Sequence, residues 1–217
     1  MNFETSKNLG GVGAILLFVS VLPFIGTYTF GVLGLVGLIL LLIGMKGLAE
    51  YYREAGIFNN ALYGTITGIV GAVVFVAILL TAVVGFMSKI IPTWNGDWTS
   101  LRQIYPADIS TNVDLNTIGP FVAAILVDVV VLFVFVLVVA LLYRKSLNLL
   151  RDKTGVGMFG TAATILLIGG VLTIIFVGLV LVWIAVLLVA IAFFQLRPPS
   201  PQMPQTETLP PQNVTQL

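Results

Sequence analysis

The stretch NLGGVGAILLFVSVLPFIGTYTFGVLGLVGLILLLIGM, residues 8–45, is 38 residues long and carries no charge. As one helix it would extend about 57 Å, against a bilayer hydrocarbon core of about 30 Å. The run therefore turns back on itself. Leu22-Pro23-Phe24-Ile25-Gly26-Thr27 supplies the break, because proline ends helices and glycine accepts unusual dihedrals. Two helices are expected, near 9–22 and 27–48.

The same length argument works along the rest of the chain. Thr154 to Leu196 is an uncharged run of 43 residues, about 65 Å as one helix, which folds in two near Thr173 to Gly178. Helices near 156–173 and 178–196 follow. Ala55 to Ser88 is also uncharged, and with Asn59-Asn60 as a helix start it leaves one tilted span at 61–88. From Leu115 to Tyr143 the only charge is Asp128, and Gly119-Pro120 puts a proline where a first turn tolerates it, giving a helix at 120–143. The expected fold class is all-α: a polytopic membrane helix bundle of six hydrophobic helices, pairs 1–2 and 5–6 forming short hairpins, with both termini cytoplasmic.

Charge placement tests the count independently. Six crossings put Lys7, Lys46, Arg53, Arg144, Lys145, Arg151, Lys153 and Arg197 on one side and only Lys89 and Arg102 on the other, a cytoplasmic bias of eight to two. Single crossings for the first and last runs would split the same charges six to four. The turns near 22–28 and 173–178 are uncharged, so either outer pair could be a re-entrant hairpin with the same parity. Full crossing is the expectation, since each arm is near spanning length. The N-terminal stretch is read as a short cytoplasmic lead: no small-x-small cleavage site precedes Pro23 and a second apolar helix follows directly.

Composition removes most chemistry. Of 217 residues 59% are hydrophobic and 9% charged, far below the charge content of a soluble domain. With no Cys there is no disulfide, thiolate nucleophile or Cys-ligated metal, and with no His the usual general base and commonest metal ligand are gone. A net charge of +1 argues against broad nucleic-acid binding. No P-loop, G-x-S-x-G, H-E-x-x-H, Rossmann fingerprint or intramembrane aspartate pair occurs, so no enzyme activity, cofactor or metal is expected.

Glycines mark the packing faces. Gly31, Gly34 and Gly37 share a stripe of helix 2, Gly64 and Gly68 form a G-x-x-x-G in helix 3, and Gly155, Gly157 and Gly160 open helix 5. Small residues let membrane helices approach closely, here within the chain, with a homo-oligomer left open. Ile25-Gly26 and Val177-Gly178 hold equivalent hinge positions, a pattern open to hairpin duplication or to chance alignment of similar compositions.

Residues 9–17, 32–40 and 57–62 with Gly68-Ile69-Val70-Gly71, and then Leu166-Leu167-Ile168-Gly169, Leu172-Thr173-Ile174-Ile175 and Ala190-Ile191-Ala192-Phe193-Phe194, resemble in their order an archaeal and bacterial membrane family, domain of unknown function 996. The likeness runs over roughly 5–196, least distinctively in the loop 89–119. Some relatives appear with a Cys-rich zinc ribbon at the end, where this chain has a Pro-rich tail without Cys. The resemblance implies membrane location and topology, and no activity or site residue.

Asp128 is the one ionisable side chain well inside an expected span. It lies about 10 Å from the helix start at Phe121, among Val127, Val129, Val130 and Val131. It reads either as a proton or cation site facing the bundle, or as a neutral acid bonded to a hydroxyl or carbonyl of another helix, with Thr65, Thr67, Thr164 and Thr173 as donors. The outer loop carries Trp94, Trp98 and Tyr105 with Asp97, Asp108 and Asp114; interface anchoring is favoured over a calcium or ligand site because the acids lack EF-hand spacing. The inner loop with Arg144, Lys145, Arg151 and Lys153 sets topology and attracts anionic headgroups. Residues 197–217 contain six of the ten prolines and are expected to be a disordered cytoplasmic tail, able to dock a cytosolic partner.

Three functions fit: a non-catalytic scaffold or accessory subunit in the cell membrane, a small proton- or cation-linked transporter or channel using Asp128, and a lipid-interacting protein.

Overall fold

The computed structural model describes residues 2–21, 27–94, 96–100, 114–175 and 177–198. Among these there are six α-helices and no strand: α1 (Phe3–Ser20), α2 (Thr27–Tyr51), α3 (Ala55–Ile90), α4 (Leu115–Thr154), α5 (Gly157–Leu172) and α6 (Val177–Gln195). A 3-10 turn, Thr173–Ile175, follows α5. Five of the helices, all but α1, are long and apolar enough to cross a membrane. The described residues are therefore all-helical, and five apolar helices support a membrane protein.

Several helices run further than the apolar pattern alone suggests, and each extension has a local cause. The Asn2 carboxamide accepts the Thr5 N–H at 2.8 Å, so α1 begins at Phe3 rather than near 9. Asn59 and Asn60 do not start α3; Asn60 lies within it, donating to the Gly56 carbonyl at 2.6 Å. The start falls at Ala55, after a turn in which the Glu54 N–H reaches the Ala49 carbonyl and Arg53 takes a positive φ of 51°. Helix α4 starts at Leu115 because Asp114 caps it, accepting the Thr117 N–H at 2.9 Å. Pro120 is thereby enclosed in the helix. It leaves the Asn116 carbonyl without its usual N–H donor, and the Lys89 ammonium lies 3.4 Å from that oxygen. At its other end α4 continues through the basic segment to Thr154 and stops at Gly155, whose φ of 73° ends the helix. Arg144, Lys145, Arg151 and Lys153 thus belong to a helix and not to a loop, and Gly155 closes α4 rather than opening α5.

Each helix packs on its neighbours in the chain, and α1 packs on α6 to close a ring. The best-buried side chains, Met45, Leu48, Ile57, Leu147, Leu150, Phe159, Phe193 and Leu196, gather toward the end that holds Phe3 and Leu196. The rings of Phe159 and Phe193 meet edge to face there at 5.4 Å. Glu54 and Lys153 pair at 3.2 Å across the same end. The opposite halves of α3 and α4 are bare of other helices: Val76, Leu80, Val122 and Leu126 are all exposed. Most of the tail, from 199, lies outside the described residues, as does 101–113 of the outer loop.

Candidate functional site

Lengthening α4 moves Asp128 deeper. It now stands thirteen residues from Leu115, about 20 Å along the helix, and is 1% exposed. Neither carboxyl oxygen has a hydrogen-bond partner. Three of the four hydroxyls offered by the sequence as donors are engaged at home: Thr65 donates to the Ala61 carbonyl at 3.0 Å, Thr164 to Gly160 at 3.0 Å and Thr173 to Gly169 at 2.8 Å, while the fourth, Thr67, does not bond Asp128 either. A Thr hydroxyl has one hydrogen, and bonding back four residues uses it. One turn along α4 a cavity of about 50 Å³ is lined by Val129, Leu132, Phe133, Thr173, Ile174 and Leu179. Its walls are apolar apart from Thr173, so Asp128 stands beside no chain of polar groups there.

A second cavity, about 210 Å³, sits inside the ring, with Leu17, Leu41, Met45, Tyr143, Leu166 and Val182 among its walls. Every lining side chain is apolar or, for Tyr143, turns its hydroxyl away to Thr65 at 2.7 Å. Walls without a polar group offer water no hydrogen-bond partner.

The glycines divide into those that touch and those that do not. A Cβ on Gly37 would lie 2.8 Å from the Gly13 carbonyl oxygen and 2.8 Å from the Leu17 nitrogen, so α1 and α2 meet backbone to backbone. Gly44 is as tight against Ser6 and Gly10. Gly34 faces Ser20, Gly64 faces the Tyr143 ring, and Gly68 is in ordinary contact distance of Val139. A Cβ on Gly31 would meet nothing within 4 Å. Gly10, Gly13 and Gly44 escaped sequence reading, although Gly37 and Gly44 stand seven apart on one helical stripe. Gly169 and Gly178 form the corresponding close approach between α5 and α6.

Beyond the far ends of α3 and α4 the acids build turns. Asp97 accepts from the Thr99 hydroxyl at 2.7 Å and the Thr99 N–H at 2.9 Å, bonds that hold its carboxyl below the usual range. Asp114 is lowered in the same way, first by the Thr117 hydroxyl at 2.9 Å. Trp94 and Trp98 meet edge to face at 5.2 Å, and the Trp94 indole donates to the Asp97 carbonyl. Asp108 and Tyr105 lie outside the described residues.

Comparison with known proteins bears on identity. The model of a family described as protein of unknown function (DUF996) matches residues 33–187, well over half of the chain. The chain belongs to the DUF996 family. A relative in Methanocaldococcus jannaschii, uncharacterized protein MJ1644, is 23% identical over 197 residues, covering 90% of this chain and 94% of its own. No solved structure matches. Neither DUF996 nor this relative comes with an activity.

Proposed function

We propose that this DUF996 protein is a non-catalytic component of the cell membrane, a scaffold or accessory subunit with both termini in the cytoplasm. The observation that supports this is the ring: helices joined backbone to backbone at Gly13, Gly37 and Gly44 surround a cavity without polar walls. Such an interior offers neither catalytic groups nor a wet path. The eight-to-two split of basic residues along the sequence supports the orientation. The bilayer is the first partner on this reading, and residues 197–217 are the segment for a cytosolic one.

One observation favours a second reading, a small proton- or cation-linked transporter: a buried carboxyl, Asp128, without a hydrogen-bond partner. Proton and cation flux into proteoliposomes separates the two. The scaffold reading expects no wild-type flux across a panel of gradients. Flux that disappears in a well-folded Asp128→Asn protein would establish transport instead.

A further inference from the structure

Five seams of the ring are closed by small residues. At α1–α2 and α5–α6 the helices meet backbone to backbone, through Gly13 with Gly37 and Gly169 with Gly178. A Cβ on Gly10 would strike the Phe193 ring, one on Gly170 the Ala140 methyl and one on Gly71 the Phe135 ring, so α1–α6, α4–α5 and α3–α4 are shut as well. None of these contacts joins α2 to α3, the neighbouring pair with the sparsest packing. Nor does any α3 side chain line the cavity inside the ring, whose walls come from the other five helices. The wall between bilayer and cavity is therefore least secured where α2 meets α3.

The cavity has the size and shape of a hydrocarbon site. Its 210 Å³ exceeds the roughly 150 Å³ of an apolar cavity that takes up benzene. Its walls run from Val139 to Leu147 along α4 and from Val182 to Val189 along α6, about 10–12 Å parallel to the helices. A chain lying along the helices fits that outline better than a compact ring does. A close-packed interior loses stability in proportion to any volume left unfilled, and the apolar filler a bilayer supplies is a lipid chain.

At one end of the same seam lies a polar cleft of about 370 Å³. Lys46 and Glu50 of α2, Arg53 of the turn, and Phe58 and Asn59 of α3 are among its walls. Lys153 nearby is paired with Glu54, whereas neither Lys46 nor Arg53 makes a side-chain ion pair among the described residues. Two cations against Glu50 leave these walls one positive charge in excess. Met45 lines the cavity and the next residue, Lys46, lines the cleft, so the two spaces adjoin on α2. A cationic cleft beside an apolar cavity matches a molecule with a phosphate at one end and hydrocarbon at the other.

We infer that the ring binds one anionic phospholipid, its phosphate between Lys46 and Arg53 and one chain passed between α2 and α3 into the cavity. Charge selects the headgroup and volume selects the chain. The site requires no cytosolic partner and stands or falls separately from the scaffold reading.

The probe is phosphatidylglycerol carrying a diazirine midway along one chain, added to the purified full-length chain in detergent. Photolysis should attach it to Leu41, Met45 or Val186, inside the ring. Attachment confined to Ile69 and Val73, which are 53% and 64% exposed on α3, would overturn the inference. In native mass spectra the wild type should retain one phosphatidylglycerol in preference to phosphatidylcholine, and Lys46→Gln and Arg53→Gln should each weaken retention about fivefold. Equal retention of the two lipids by the wild type, or displacement by equimolar glycerol phosphate, which has no chain, would also overturn it. Ala185→Leu puts a larger side chain on the cavity wall and should lose the lipid while raising the melting temperature of the lipid-free protein. Undiminished retention in that variant would refute the chain site; should the variant fold poorly, the photolabelling of the wild type decides alone.

Discussion

The hydroxyls of Thr65 on α3 and Tyr143 on α4 lie 2.7 Å apart, the only side-chain to side-chain hydrogen bond between these two helices among the described residues. Its direction follows from counting hydrogens. Thr65 gives its own to the Ala61 carbonyl, so Tyr143 donates. Tyr143→Phe then removes one bond and leaves only an acceptor lone pair, whereas Thr65→Val strands a donor. Thr65→Val should destabilise more than Tyr143→Phe, with a coupling of about 0.6 kcal/mol and no more than about 1.7 kcal/mol in a double-mutant cycle. Unfolding equilibria of the four proteins in one detergent check the order; equal losses would refute the assigned direction.

Glycine substitutions should split by contact. At Gly44 a methyl would lie 2.7 Å from the Ser6 carbonyl oxygen and closer still to Gly10, all backbone that cannot rotate away. Gly44→Ala should force α1 and α2 apart and cost several kcal/mol, of the order seen for overpacking, about 1–3 kcal/mol or more. Gly31→Ala meets nothing within 4 Å and should be neutral or gain about 0.5–1 kcal/mol from helix propensity. Thermal melts of the two variants, read in the same detergent, decide it.

How much of this was legible beforehand depends on what carried the signal. Run length and the 38- and 43-residue arithmetic led to six helices because hydrocarbon thickness is a hard ruler. Helix ends were less legible, since Asn2 and Asp114 act through capping geometry that the apolar pattern does not contain. Asn59-Asn60 looked like a start and is mid-helix, because a residue that can cap can also bond back to Gly56. Asp128 stood out at once as a lone charge, while its lack of a donor depends on where Thr65, Thr164 and Thr173 point. The Phe18–Trp183 stack and the ring cavity left no trace in composition, since their residues are as apolar as everything around them.

The cap on α4 makes a pH prediction. Hydrogen bonds from Thr117 and Asn116 hold the Asp114 carboxyl below its ordinary 3.8. A carboxyl lowered in the folded state stabilises fully above the unfolded value and loses that contribution as pH falls through the folded one. The first turn of α4 should therefore stay closed at neutral pH and loosen only below about 3.8. Amide exchange at Thr117 and Ile118 is the readout, both N–H groups pointing at Asp114. Asp114→Asn should keep the cap and lose the pH dependence; Asp114→Ala should exchange fast at every pH.

Asp128 offers the sharpest stability test because its oxygens have no partner and it is 1% exposed. A buried polar group without a hydrogen bond costs about 1–3 kcal/mol, so an apolar side chain of similar volume should be better tolerated than the native residue. Asp128→Leu is expected to raise unfolding free energy by about 1–3 kcal/mol, and Asp128→Asn, which keeps an unsatisfied amide, to change it by less. A carboxyl that lowers stability is then retained for something other than packing, which is where flux measurements on the same variants become decisive. Loss of stability in Asp128→Leu would instead reveal that the carboxyl is held by a group brought to it in the membrane, from a lipid headgroup or a second chain.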